Sequence, residues 1–146
     1  MSDPQTHIKG ATAIDLVFDR SKVNALIDRV LALAESHAFG SSALFAMRLA
    51  IEEAITNAFE HGHAGLDPAT PIHVEYAVTQ DAVEIAIEDQ GTGFTPSSLP
   101  DPTLLENLSK PSGRGVMLMR AYMSDVHFNE QGNRVKLRYA RNAHAN

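Results

Sequence analysis

Residues 49–62 read Leu-Ala-Ile-Glu-Glu-Ala-Ile-Thr-Asn-Ala-Phe-Glu-His-Gly, and their spacing predicts the helix around which the rest of the chain is arranged. Ser41 and Ser42 follow Gly40 and can cap its start. From there apolar residues recur at 44, 47, 51, 55 and 58, the three-to-four spacing of one buried helical face. Glu53 and Asn57 are four residues apart and share a second face with Ala46, Leu49 and Ala50. A carboxylate and a carboxamide set side by side on a largely apolar surface can hold a metal and orient a water. The same residues also suit an ordinary solvated helix face, so their meaning depends on what the remaining chain brings to them.

Working back toward the amino terminus, Thr12, Ile14, Leu16 and Phe18 alternate with Ala13, Asp15 and Val17 in the period of a strand, placed at a sheet edge. Ser21 is a candidate cap for a following helix with its stripe at Val23, Leu26, Ile27, Val30, Leu31 and Ala34, ended by Phe39-Gly40. Working forward, residues 61–68 form a breaker-rich loop. Two alternating strands follow, Ile72 to Val78 and Val83 to Glu88, joined by Thr79-Gln80-Asp81 as an antiparallel hairpin. The stretch from Asp89 to Gly115 is rich in Gly, Pro and Ser, and an irregular segment of that length inside a small domain points to function. A helix is expected to restart near Gly115 with Val116, Met119 and Met123 on one side. Strands at 126–128 and 135–139 then turn around Gln131-Gly132-Asn133. Because strands cluster in pairs, the expected fold is α+β, a two-layer sandwich with a mixed, mostly antiparallel sheet covered on one face by helices. It spans residues 12–140 as one domain, with 1–11 and 141–146 as flexible ends.

Composition limits what such a domain can do. At 146 residues and 44% hydrophobic content one core is expected. Twelve Lys and Arg against eighteen Asp and Glu leave a net charge of −6, which supplies no field for nucleic acid or an anionic membrane. The chain has no cysteine, so disulfides, thiolate nucleophiles and Cys-ligated zinc are excluded. Its start lacks a leader pattern and no stretch approaches the roughly 18 apolar residues of a membrane span. These features read as a cytoplasmic protein.

Two further stretches carry chemistry. Asp89-Gln90-Gly91-Thr92-Gly93-Phe94 leaves the end of a buried strand, where Asp89 can accept from an amino group and Gly91 and Gly93 let backbone approach a ligand. An Asp-Gly turn would look the same. Gly113-Arg114-Gly115 directly precedes Val116-Met117-Leu118-Met119; free amides at a helix start, the helix dipole and a permanent cation together suit phosphate, though a flexible entry to a helix has the same glycines. His61-x-His63 lacks a third nearby ligand and suits a helix end better than a metal.

Taken together, Glu-x-x-x-Asn-Ala (53–58), Glu-His-Gly (60–62), Asp-x-Gly-x-Gly-Phe (89–94) and Gly-Arg-Gly-Val-x-Leu-Met-Arg (113–120) resemble the GHKL ATP-binding domain shared by gyrase, Hsp90, histidine kinases and MutL. Within it they look most like the anti-sigma factor and serine kinase branch of RsbW and SpoIIAB type. The resemblance runs from about residue 12 to 140. It implies ATP and Mg²⁺ as cofactors, Asn57 as metal ligand, Glu53 as general base and Asp89 as acceptor for the adenine amino group. It further implies that Gly91 and Gly93 shape the pocket, that Gly113, Arg114, Gly115 and Val116 close over the phosphates, and that 95–112 is a lid carrying Ser109 and Lys110 as phosphate contacts. The implied partners are a sigma factor, a STAS-domain anti-sigma factor antagonist that is phosphorylated on serine or threonine, and a second copy of the chain. One departure stands out: Asn133-Arg134-Val135 lies where relatives often carry a threonine that helps hold adenine, and Asn133 is the candidate substitute. An intact pocket of this kind also suits a non-catalytic, ATP-gated module that grips a partner. The detached ATP-binding half of a histidine kinase fits less well, since no phosphoacceptor helix pair is left over.

Overall fold

A computed structural model describes residues 6–91 and 111–141. In chain order the elements are β1 (Thr12–Leu16), α1 (Arg20–Ser36), α2 (Ser41–Asn57), a π-turn (Ala58–Gly62), β2 (Ile72–Val78), β3 (Ala82–Glu88), α3 (Pro111–Tyr122), β4 (Asp125–Phe128) and β5 (Arg134–Ala140). The strands form one sheet in the order β1-β2-β3-β5-β4, and each pairing is antiparallel. The α+β sandwich is therefore the observed fold, with the expected mixed sheet antiparallel throughout among the described strands. β1 and β4 are its edges.

Alternation decides which face of the sheet is covered. Ile72, Val74 and Tyr76 of β2, Val83, Ile85 and Ile87 of β3 and Val135, Leu137 and Tyr139 of β5 are buried on one face. The stripe anticipated on α1 and the positions Met47, Ile51, Ile55 and Ala58 are buried in the same core. Ile27, Met47, Ile51, Ile85 and Leu137 are among the largest side chains with no effective exposure, each stabilising the fold by about 1.5–3 kcal/mol through its removal from water.

Local boundaries differ from the sequence expectation in instructive ways. Asp19, not Ser21, caps α1: its carboxylate accepts from the Ser21 N–H at 2.9 Å, from the Lys22 N–H and from the Ser21 hydroxyl at 2.7 Å. Its charge adds favourably to the helix dipole there. α2 starts from Gly40 with no side-chain cap, so Ser41 and Ser42 lie inside the helix. α1 ends on Ala38 at φ 65°, where the Phe39 N–H donates to Ala34 C=O and the Ala38 N–H to Glu35 C=O. This is a Schellman arrangement with alanine where glycine is usual. The Arg141 guanidinium then lies 4.0 Å from the centre of the Phe39 ring and donates to the carbonyls of His37 and Ala38.

The second face of the sheet is a lattice of charge. Arg134 donates to Glu75 at 2.6 Å, to Glu88 at 3.4 Å and to the carbonyl of Thr6 at 2.9 Å. Glu84 meets Lys136 and Arg138, and His73 contacts Asp15 and Glu75. Thr6 and Ile8 are buried; the amino-terminal segment, expected from its polarity to lie free, carries two buried residues, and the Thr6 carbonyl accepts from Arg134.

Candidate functional site

The site assembles where the carboxyl end of α2 meets the carboxyl end of β3. Asn57 is the last residue of α2, after which the helix widens into the π-turn Ala58–Gly62; such turns commonly mark functional positions. The widened turn delivers Gly62 directly against Asp89, so close that a Cβ on Gly62 would overlap the carboxylate. Gly91 faces the Gly62 carbonyl in the same way, leaving no room for a side chain. These two glycines permit the helix end and the strand end to close on each other.

Asp89 is held on three sides. Its N–H donates to the Asn133 carbonyl at 2.8 Å, and the Asn133 side chain returns a bond to the Asp89 carbonyl at 3.4 Å. Its own Oδ1 accepts from the Gly91 N–H at 2.8 Å. Next to it, the Gln90 N–H donates to Nε2 of the buried His63 at 2.9 Å. Burial pushes the Asp89 carboxyl above its ordinary value, against the pull of the Gly91 N–H. A half-buried carboxylate on a cavity lining, with one oxygen bonded to the Gly91 N–H, suits a ligand that donates hydrogen bonds.

That cavity has a volume of about 480 Å³, within the range of small-molecule sites. Ala54, Ile87, Val116, Met119 and Val135 give it apolar walls, and Asn57, Asp89 and Asn133 put polar groups on its lining. α3 begins at Pro111, four residues before the expected start, so Gly113, Arg114 and Gly115 fall within its first turns and do not precede it. Proline suits that first position because the N–H it lacks would have no helical partner. Gly115 is buried against the Asn57 carboxamide.

The structure thus brings Asn57, Asp89, Gly91 and Val116 to one cavity, with Gly115 behind Asn57. Glu53 lies one turn before Asn57, is half-buried, and is not among the residues lining the cavity. Gly93, Ser109, Lys110 and most of the lid segment lie outside the described residues. Asn133 lines the cavity, but both ends of its carboxamide are engaged within the protein, since its oxygen accepts from Asn129 at 2.8 Å. It therefore fastens the Asp89 backbone. Asn129 carries no signal in the sequence, and His63 stands out there only as half of a His-x-His pair set at a helix end. Their partners lie at Gln90 for His63 and at Asn133 and Arg134 for Asn129; no local spacing announces the first, and the second is an asparagine in a turn that looks like any other. Among the described residues no group of three or more His, Asp or Glu could hold a metal by itself, and no helix is long and apolar enough to cross a membrane.

The chain is similar in sequence to proteins of known family. A serine-protein kinase RsbW of Oceanobacillus iheyensis is 28% identical over 105 residues, 68% of this chain and 66% of the relative. One from Listeria monocytogenes serotype 4a is 36% identical over 62 residues, so that match spans 42% of this chain and only 39% of the relative. An anti-sigma F factor of Clostridium perfringens is 28% identical over 92 residues, 60% of this chain and 64% of that protein. Residues 17–139 match the histidine kinase-like ATPase domain, a span that begins just after β1 and takes in both site-bearing helices and the strands that frame the cavity, and the chain belongs to that family.

Proposed function

We propose that this chain binds ATP with Mg²⁺ in the cavity between α2, β3 and α3, and transfers the γ-phosphoryl group to a serine or threonine of a STAS-domain anti-sigma factor antagonist. In the same reading it sequesters a sigma factor and works as a cytoplasmic homodimer. The observation that carries the nucleotide assignment is the pairing of a half-buried Asp89 carboxylate at one end of the cavity with the Asn57 carboxamide at another. Asp89 accepts from the adenine amino group, and Gly91 and Gly93 bring backbone close to the base. Ser109, Lys110, Gly113, Arg114, Gly115 and Val116 enclose the phosphates, where amides and cations offset charge that is spread over the phosphoryl oxygens.

The donor set fits Mg²⁺. This ion keeps most of its shell as water and phosphate oxygen and takes one or two protein ligands. Asn57 offers a single neutral oxygen on the cavity lining. When bound, the ion neutralises phosphate charge. In transfer, the attacking hydroxyl forms a new O–P bond as the bond to the β-phosphate oxygen breaks, and Glu53 receives the hydroxyl proton.

A second reading is favoured by one observation: Glu53 does not line the cavity. On that reading ATP only stabilises a shape that grips a partner. Calorimetric titration with ATP and ADP, with and without Mg²⁺, on wild type and Asn57→Ala tests the site. Magnesium-dependent binding lost in the variant is expected; no nucleotide binding by wild type would overturn both readings. Glu53→Ala separates them, abolishing transfer to a STAS-domain protein while sparing partner capture in the kinase reading, and changing neither in the other.

A further inference from the structure

We propose that His63 is a positioning residue for adenine selectivity, acting through the backbone of the Asp89–Gly91 turn; this rests on the assignment of Asp89 to the adenine amino group. The Gln90 N–H points inward and its acceptor is His63 Nε2 at 2.9 Å. An accepting Nε2 requires a neutral ring whose proton sits on Nδ1. The ring is held in turn. It is buried and meets Phe59 edge-on with ring centres 5.8 Å apart, and the His63 backbone N–H donates to Ala58 C=O across the π-turn at 3.0 Å. The π-turn thus reaches the base-recognition turn twice: through Gly62, which makes room for the Asp89 carboxylate, and through His63, which fixes the next peptide.

The peptide after Asp89 controls where that carboxylate points. Oδ1 is already bonded to the Gly91 N–H, so any rotation of the Gln90 and Gly91 amides carries the carboxylate with it. Asn133 secures the Asp89 peptide from the opposite side. Without His63 the Gln90 N–H loses its protein acceptor and the turn can rotate toward solvent to satisfy it. Phosphate binding, at the other end of the cavity, does not depend on that turn. His63 therefore acts on the choice of base, with little bearing on nucleotide affinity as such.

The test uses the full chain and two nucleotides, ADP and IDP, the second carrying a carbonyl where adenine has its amino group. His63→Phe keeps the ring packing and removes the acceptor, while His63→Gln places an acceptor near the position of Nε2. Calorimetry should find that His63→Phe weakens ADP about tenfold with IDP unchanged, and that His63→Gln restores most of the preference. Equal weakening of both nucleotides, or no change in either, would overturn the role. Asp89→Asn run in parallel separates the two assignments: if it keeps the ADP preference, the adenine reading falls and this one with it. If Asp89→Asn abolishes the preference while His63→Phe retains it, only the positioning role falls. Should His63→Phe not fold, wild-type protein labelled with ¹⁵N decides the bond itself. A scalar coupling across it between the Gln90 amide and His63 Nε2 is expected, and its absence overturns the proposal.

Discussion

Gly115 of α3 packs face-on against the Asn57 carboxamide of α2, so that a Cβ at position 115 would stand 2.6 Å from Nδ2 and 3.1 Å from Oδ1. The neighbour that must yield is the end of a side chain, and yielding means turning the carboxamide out of the cavity. Gly115→Ala should therefore weaken Mg²⁺-dependent ADP binding at least as much as a lost charge-linked contact, about tenfold or more. Stability should hardly suffer, because alanine in a helix interior gains about 0.5–1 kcal/mol over glycine. In an Asn57→Ala background the collision is gone, and Gly115→Ala should raise the thermal midpoint outright. A fall in both backgrounds would mean that backbone, not Asn57, fills the space.

Asp89 offers a test of sign. Burial holds its folded carboxyl above the ordinary value, so the folded state binds the proton more tightly than the unfolded chain does. Stability linked to this group is present below the unfolded carboxyl value and is lost as pH rises through the raised folded one. Asp89→Asn removes that loss while keeping an oxygen for the Gly91 N–H. The nucleotide-free variant should melt higher than wild type at neutral pH, with the gain shrinking in acid, and its ADP preference should vanish. A variant that melts lower at every pH would show that the ionised carboxylate is better satisfied than its burial implies.

The sequence made the sheet legible because Val74, Tyr76, Ile85, Ile87, Leu137 and Tyr139 alternate without interruption, and the helices legible because their stripes repeat at helical spacing. Asn57 and Asp89 could be singled out because a carboxamide on an apolar helix face and an acid before Gly-x-Gly are locally odd. What stayed hidden depends on contacts far apart in the chain. Gly62 and Gly115 matter for what stands opposite them, Asp89 and Asn57 respectively. His63 matters for a peptide 27 residues away. Cap choice failed for a different reason: Asp19 and Ser21 are both good caps, and only the backbone, extended at Asp19 with φ −147° and ψ 115°, decides between them.

His73 links the β1 edge to β2 through Asp15 at 2.9 Å and meets Glu75 at 3.4 Å. The Asp15 hydrogen bond holds the imidazole above its ordinary value, with Glu75 helping and partial burial opposing. This stabilisation is complete below the unfolded imidazole value of about 6.5 and is lost as pH rises through the raised folded value. Because both partners are largely exposed, the effect should stay under about 1 kcal/mol. Denaturant unfolding across that window should slope downward for wild type and flatten in Asp15→Asn. An unchanged slope would assign it to other groups.

Arg134 closes the second face of the sheet by serving three acceptors at once, Glu75, Glu88 and the Thr6 carbonyl, while its buried Nε has no hydrogen-bond partner among the described residues. Its guanidinium holds the Glu75 carboxyl below the ordinary range, with burial opposing. Stability from that pair is present above the unfolded carboxyl value and is lost as pH falls through the depressed folded value. Removing the cation leaves two carboxylates at diagonal positions on adjacent strands, Glu75 keeping its contact with His73 and Glu88 losing its bond to Arg134. A fully buried pair broken in this way costs about 3–5 kcal/mol; the partial exposure of Glu75 and Glu88 lowers the expectation for Arg134→Ala to about 1–3 kcal/mol. Part of that should return in Arg134→Ala/Glu75→Gln, since the second change removes the stranded charge, and the deficit of the single variant should narrow in acid. Lysine should rescue poorly, because one ammonium on a flexible stem cannot reach Glu75, Glu88 and Thr6 in the geometry of a planar fork. The segment holding Thr6 and Ile8 should loosen in the same variants, and faster proteolysis there, ahead of global unfolding, separates the lost carbonyl contact from the lost ion pairs.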